Sequence, residues 1–291
     1  MNDWEKAGKI AAEALDLGKK LIRIDASLLE VAEKIEARII ELGGKPAFPV
    51  NLSINHIAAH YTPFPGDETR FLEGDLVKVD IGAHVNGAIG DTAATISLGG
   101  NEELVKASEE ALKEAIKIFK PGTRFREIGR AIQEKIKEYG FVPIVNLSGH
   151  GLELYSLHSG VTVPNYDNGD EKELQEGQIL AIEPFATSGE GRIIEGKPSG
   201  IYRMEQLKPV RDMNARKILK FIEEEYKTLP FAKRWIIKKF PTAEFSLRML
   251  EISGVILQYP QLPEKSKALV SQAEHTVKVA ERPVVLTSLS V

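Results

Sequence analysis

The sequence predicts an α+β fold made of two copies of one helix–helix–strand–strand unit, with a helical insertion before the closing strands. Three observations predict it. Asn-Leu-Ser occurs twice, in AFPVNLS (47–53) and VPIVNLS (142–148). An apolar stripe at helical spacing precedes each copy: Leu28, Val31, Ile35, Ile39 and Leu42 in one, Phe125, Ile128, Ile132, Ile136 and Tyr139 in the other, each 97 residues later. Finally, LEGDLVKVD (72–80) and QEGQILAIE (175–183) each set a Glu-Gly six residues before an acidic residue, with apolar alternation between. Asp80 and Glu183 therefore hold equivalent places, facing each other across a cleft between the halves.

The elements follow in chain order. Residues 4–23 alternate charged and apolar positions at helical spacing. Ser27 with Glu30 forms a capping box at the head of the first stripe helix, and Gly43 stands at its C-terminal end. In KVDIGAHVNGAIGDTA (78–93), Asn86-Gly87 is a two-residue hairpin turn, because both central residues of a type I′ turn need positive φ. That turn pairs Val85 with Ala88 and hence Gly82 with Asp91. Asp80 shares a face with Gly82, so Asp80 and Asp91 become diagonal neighbours with Cα atoms roughly 7–8 Å apart. Taken alone, the stretch fits two solvated aspartates on an exposed face as well as a pair held around a cation.

The second half repeats the scheme: a helix over 102–119 ending at Pro121-Gly122, then the stripe helix over 125–139 closed by Gly140. The segment 200–263 has no counterpart in the first half. It reads as helices broken by Pro230 and Pro241, with nine Lys or Arg against four acidic residues between 211 and 240. A solvated helical insertion is the expectation; a helix-turn-helix module is the alternative, with no base-reading pattern to support it. Strand character returns in VSQAEHTVKV (270–279) and PVVLTSLSV (283–291). The expected division is thus 1–199 with 264–291 as the main domain and 200–263 as an insertion subdomain.

Bulk properties narrow the function. The formal charge of −4 gives no general pull toward nucleic acid or anionic membrane. With no cysteine, disulfides, thiolate zinc sites and cysteine nucleophiles are excluded. The first 25 residues lack the apolar core of a signal peptide, and no apolar run is long enough to span a bilayer, so a cytoplasmic protein is expected. Gly-x-Ser-x-Gly, P-loop and Rossmann glycine patterns are missing.

Candidate chemistry gathers on a few residues. Gly149 and Gly151 bracket His150, which leaves backbone room for close approach to an ion. Glu183 lies in the apolar strand ILAIEPFA, where an unpaired carboxylate is costly to bury, and Pro184 keeps it extended. Glu274 in QAEHTV is a further strand-borne acid. Asp80, Asp91, His150, Glu183 and Glu274 thus make four carboxylates and one imidazole, whose charge two divalent cations would balance. Such an oxygen-rich set suits Mn, Fe, Co or Zn, and a pair of such ions activates water for hydrolysis near neutral pH.

At these residues the sequence resembles the methionine aminopeptidases, specifically type II. The marks are FPVNLSINHIAAHYTP (48–63), VDIGAHVNGAIGDTA (79–93), NLSGH (146–150), LHSG (157–160), IEPFA (182–186) and EHT (274–276), and they span nearly the whole chain. The resemblance implies a pita-bread fold with internal two-fold duplication. It implies that Asp80 and Asp91 bind metal with Asp91 bridging, that His150 and Glu183 hold one ion, and that Glu274 bridges both. His60 would contact substrate at the metal site, and His158 would hydrogen-bond the scissile amide or its tetrahedral intermediate. Phe48 would wall the methionine pocket. The insertion points to type II, and the short N-terminus to the archaeal form. Ser159 stands where Ala is usual, and the C-terminal tail is slightly long.

The expected activity is removal of the initiator methionine from nascent polypeptides when the second residue is small. The expected protein is a monomer touching the ribosome at most transiently. Two rivals belong to the same fold: an Xaa-Pro dipeptidase, and a non-enzymatic ribosome- or RNA-binding relative, which would lack metal ligands. His56, His84 and His275 are expected to be structural or surface residues.

Overall fold

The computed structural model describes residues 1–289. The first unit runs through helices α1 (Asp3–Leu21) and α2 (Leu28–Glu41) and short strands β1 (Lys45–Pro46), β2 (Asn51–Ile54) and β3 (Ile57–Ala59). It ends in the long hairpin β4 (Leu76–Val85) and β5 (Ala88–Ser97). The second unit holds α3 (Glu102–Lys117), α4 (Phe125–Glu138), β6 (Val142–Pro143), β7 (Ser148–Gly151), β8 (Thr162–Pro164), β9 (Ile179–Ile182) and β10 (Phe185–Thr187). Then come β11 (Pro198–Met204), α5 (Met213–Glu225), β12 (Phe231–Ala232), α6 (Lys233–Lys239), α7 (Ala243–Ile252), β13 (Ile256–Pro260) and β14 (Leu262–Pro263). The closing strands are β15 (Val270–Gln272), β16 (Glu274–Lys278) and β17 (Val284–Val285).

Each helix pair forms because its apolar stripe has a sheet to cover. Leu28, Val31, Ile35 and Ile39 are buried against Val77, Val79 and Ile81, and Phe125, Ile128, Ile132 and Ile136 against Leu180 and Ile182. Trimming one of these isoleucines to Ala would cost about 2–5 kcal/mol. Asn2 and Glu5 close a reciprocal capping box on α1, both bonds 2.9 Å. The box expected at Ser27 is only half formed. Ser27 Oγ accepts from the Glu30 N–H at 3.4 Å, but the Glu30 carboxylate turns to Lys34 one turn on. Both stripe helices end as expected, on glycines in the left-handed region, Gly43 at φ 86° and Gly140 at φ 81°.

The hairpin follows the expected register. Val85 pairs with Ala88, Gly82 with Asp91 and Asp80 with Ala93, with Asn86 and Gly87 both at positive φ. The duplication is written in strand pairing. Lys45↔His84 and Pro46↔Ala83 in the first half become Val142↔Thr187 and Pro143↔Ala186 in the second. One difference separates the halves. Where β4 is continuous through Asp80, its equivalent breaks at Glu183-Pro184 into β9 and β10, since Pro184 has no N–H to give the ladder. Glu274 of β16 pairs with Ala93 of β5, and His275 with Ile182 of β9, so β16 zips the halves into one sheet. Among the described residues that sheet has nine strands, ordered β1-β4-β5-β16-β9-β7-β8 with β2 beside β4 and β17 beside β16.

The insertion departs from an all-helical reading. Its helices pack on a three-stranded sheet, β12-β11-β13, around a cluster that includes Tyr202, Ile218, Phe231, Leu247 and Ile256. These strands are short, and their alternation is masked by neighbouring helical runs. The tail is also less extended than expected: within 283–289 only Val284 and Val285 pair, with Lys278 and Val277, and residues 290–291 lie outside the described part.

A buried ion pair fastens the insertion to the body. The Arg234 guanidinium meets Glu36 of α2, and Glu36 also accepts from the Trp235 indole N–H (2.9 Å) and the Val50 N–H (3.1 Å). Burial pushes the Glu36 carboxyl up and the Arg234 guanidinium down, each opposed by attraction to the other. Removing one partner leaves a buried charge alone, so Arg234→Met should lower stability by about 3–5 kcal/mol in urea titration at neutral pH. A loss under about 1 kcal/mol would show that water reaches Glu36 freely.

Candidate metal centre

Five side chains named from the sequence converge on one cleft of about 250 Å³. Asp80 and Asp91 come from the hairpin, His150 from β7, Glu183 from the β9–β10 break and Glu274 from the head of β16. One ligand atom each from Asp91, His150 and Glu274 lie within 4.8 Å of one another. His150 Nε2 is 3.7 Å from Asp91 Oδ2 and 3.8 Å from Glu183 Oε1. The His150 Nδ1–H faces the Gly151 carbonyl at 3.4 Å, which leaves Nε2 free to ligate.

The donor set fits a cation. Asp80 Oδ1 and Asp91 Oδ1 are buried and have no hydrogen-bond partner among the described residues. Burial pushes the Asp80 carboxyl up to about 7. Burial, then the neighbouring carboxylates, raises Asp91, Glu183 and Glu274 well above their usual range. A divalent ion removes that penalty by balancing the charge. Burial, then the nearby His158, brings His150 down to about 3, so it stays neutral and able to ligate.

The substrate side of the cleft is mostly apolar. Phe48 lies close against Gly82, where a Cβ would stand 2.2 Å from its ring, so the hairpin needs glycine there to admit this wall. Ala59, Leu157, Ile201, Tyr259 and Leu262 are also in the lining. His60, at the end of β3 with φ 61°, gives its Nδ1–H to the Pro260 carbonyl at 3.2 Å, leaving Nε2 as an acceptor. Burial lowers it to about 4. The His158 ring sits 4.3 Å from that of His150, and burial, then Arg203, lowers its pKa.

The other histidines lie elsewhere. His84 is buried and accepts from the Gly87 N–H at 3.3 Å; His275 Nδ1 lies 2.9 Å from Thr287 Oγ1. His56, half-buried, is outside the cleft lining.

Two cleft residues escaped the sequence reading. Gln272 Nε2 lies 3.4 Å from Asp80 Oδ2 and 3.5 Å from both Glu183 Oε2 and Glu274 Oε2. Gln272 pairs with Phe185, the second-half equivalent of Gly82, and so holds the place that Asp91 holds in the first half. Asn51 pairs with Asp80 and puts a buried, unpartnered Oδ1 in the cleft wall.

Residues 2–218 match metallopeptidase family M24, and a methionine aminopeptidase of Pyrococcus abyssi is 51% identical over 287 residues, covering 97% of each chain. The chain belongs to the M24 methionine aminopeptidases. Among solved structures it resembles the methionine aminopeptidase of Thermotoga maritima at TM-score 0.71 and 26% identity, covering 98% of this chain and 94% of that one. A thermophilic Arx1 reaches TM-score 0.85 at 16% identity, over 99% and 90% of the two chains, which shows shared fold alone. As an M24 member the chain has the pita-bread architecture that its duplicated register describes, and it uses divalent metal. Among the described residues no helix is long and apolar enough to cross a membrane.

Proposed function

We propose that the protein is a cytoplasmic, dinuclear-metal aminopeptidase that removes the initiator methionine from nascent chains with a small second residue. The observation that carries this reading is the convergence of four carboxylates, two buried and two half-buried, and an imidazole beside an apolar cleft. Its setting is a chain about half identical to named methionine aminopeptidases. Asp80, Asp91, His150, Glu183 and Glu274 would hold two ions, of Co, Mn, Fe or Zn. When bound, the ions supply Lewis acidity and an activated water.

The remaining steps belong to side chains. Acidic ligands and the Asn51 oxygen offer acceptors to a free α-ammonium group, which favours exopeptidase over endopeptidase action. The methionine side chain would lie along Phe48. Held neutral, His158 can donate to the oxyanion that develops at the first peptide carbonyl. His60, with its Nδ1 proton committed to Pro260, can accept from the scissile amide. Residues 200–263 are proposed as a type II insertion subdomain that supplies Ile201 and Tyr259 to this wall.

The test is turnover of a Met-Xaa-Ser series after metal is stripped and added back. Xaa of Ala, Gly, Ser or Thr should be cleaved and Lys should not. Equal turnover of Met-Ala and Met-Lys peptides would remove the specificity claim. Preference for an Xaa-Pro dipeptide would favour the dipeptidase reading, and inactivity with every metal the binding-protein reading.

A further inference from the structure

The loop that carries His158 is gripped at its tip by one side chain, Tyr155. Its base is closed by backbone bonds from the Ser159 N–H to the Gly151 carbonyl (3.0 Å) and between Glu153 and Ser156 in both directions (3.0 Å each). At the tip, the Tyr155 N–H donates to the Gly87 carbonyl at 2.9 Å. The ring lies so close on Gly87 that a Cβ there would stand 2.4 Å from it, and His84 meets it edge-on at 5.6 Å. Lys227 Nζ sits 3.7 Å from the ring centroid, and Thr228 Oγ1 donates to the Tyr155 carbonyl.

Tyr155 thus touches both the β4–β5 turn of the body and the segment that follows α5 of the insertion. Three residues beyond Thr228, that segment has already reached the core at Phe231, and Pro230 lines the cleft. Tyr155 itself has φ 59°, a backbone region where a bulky residue is strained and Asn or Gly is at ease. A tyrosine kept in such a place serves something other than the turn.

We propose that Tyr155 is a positioning residue. Clamped between body and insertion, it fixes the loop so that His158, three residues on, meets the scissile bond. The inference rests on the reading of His158 as a substrate contact, and its test separates the two.

The test is a double-mutant cycle on metal-loaded enzyme with Met-Ala-Ser. Tyr155→Asn keeps a residue suited to the left-handed turn while deleting the ring. It should lower kcat roughly 10- to 100-fold, as misplacement by about an ångström does, with KM and metal content little changed. Tyr155→Phe keeps the ring and should stay within about twofold of wild type by the same reasoning. In the His158→Ala background, Tyr155→Asn should cost nothing further, because the group it positions is gone. If Tyr155→Asn does not fold, Lys227→Met removes the cation above the ring, leaves the loop intact, and must show the same non-additive, smaller loss. Full turnover in Tyr155→Asn, failure of Phe to restore, or losses that multiply in the double variant would each overturn the clamp alone. Unchanged turnover in His158→Ala would overturn the substrate-contact reading and the clamp with it.

Discussion

Asp91→Ala and Glu274→Ala proteins should lose bound metal and, with it, all but background turnover of Met-Ala-Ser. Each carboxylate sits at the centre of the cluster: Asp91 is flanked by His150, and Glu274 shares the Gln272 amide with Glu183 and Asp80. Removing either takes away a negative charge and a ligand together. The measurement is metal stoichiometry beside steady-state rates, and a variant that kept its ions but lost activity would argue against ligand roles.

The same cluster sets a pH dependence in metal-free protein. Asp80 is raised to about 7 and its three partners well above their usual range, so each binds a proton more tightly folded than unfolded. The stability that this gives is complete below the unfolded values near 4 and is lost as pH climbs through the folded ones. All six histidines are lowered by burial and run the other way, but their contribution is complete about one pH unit above their unfolded value of about 6.5, and Lys78, lowered well below its usual range by burial, offsets one carboxyl only. Between roughly pH 7.5 and 8.5 the metal-free protein should therefore show a falling Tm, while the metal-loaded protein should not. A metal-free Tm that rises over this window would mean the carboxylates are already charged and solvated.

His158→Ala should cut kcat by roughly 10²–10³, the usual cost of one oxyanion donor, while metal content stays at the wild-type level. The ring lies beside His150 but contributes no atom to the Asp91–His150–Glu274 group. Its contact strengthens as charge develops on the carbonyl oxygen, so KM should change far less than kcat. Loss of metal from His158→Ala as readily as from Asp91→Ala would collapse the division between ligands and substrate contacts.

Much of this molecule was legible in its sequence because the informative residues sit where they cost free energy. Glu183 in ILAIEPFA is an acid where an apolar side chain would be cheaper, and Asn86-Gly87 fixes the hairpin register by backbone sterics alone. The stripes of α2 and α4 repeat because each must cover the same kind of sheet. Gln272 was silent for the opposite reason: a neutral amide in VSQAEHTV breaks no pattern, and its place opposite three carboxylates exists only once β15 is paired with β10. Arg234 was hidden among the basic residues of the insertion, since nothing local distinguishes a buried arginine from its solvated neighbours. Tyr155 carried no motif, and its meaning depends on Lys227 and Gly87, which lie far from it in sequence.

The way β16 joins the two halves has a consequence for the protein's own synthesis. The five proposed ligands are spread from Asp80 to Glu274, and the last of them lies on the strand that closes the sheet. A partly translated chain can complete its first helix–sheet unit, yet it cannot assemble the carboxylate cluster until the strand after the insertion has emerged and docked. The full set of five side chains can therefore come together only late in synthesis, after the insertion has been made.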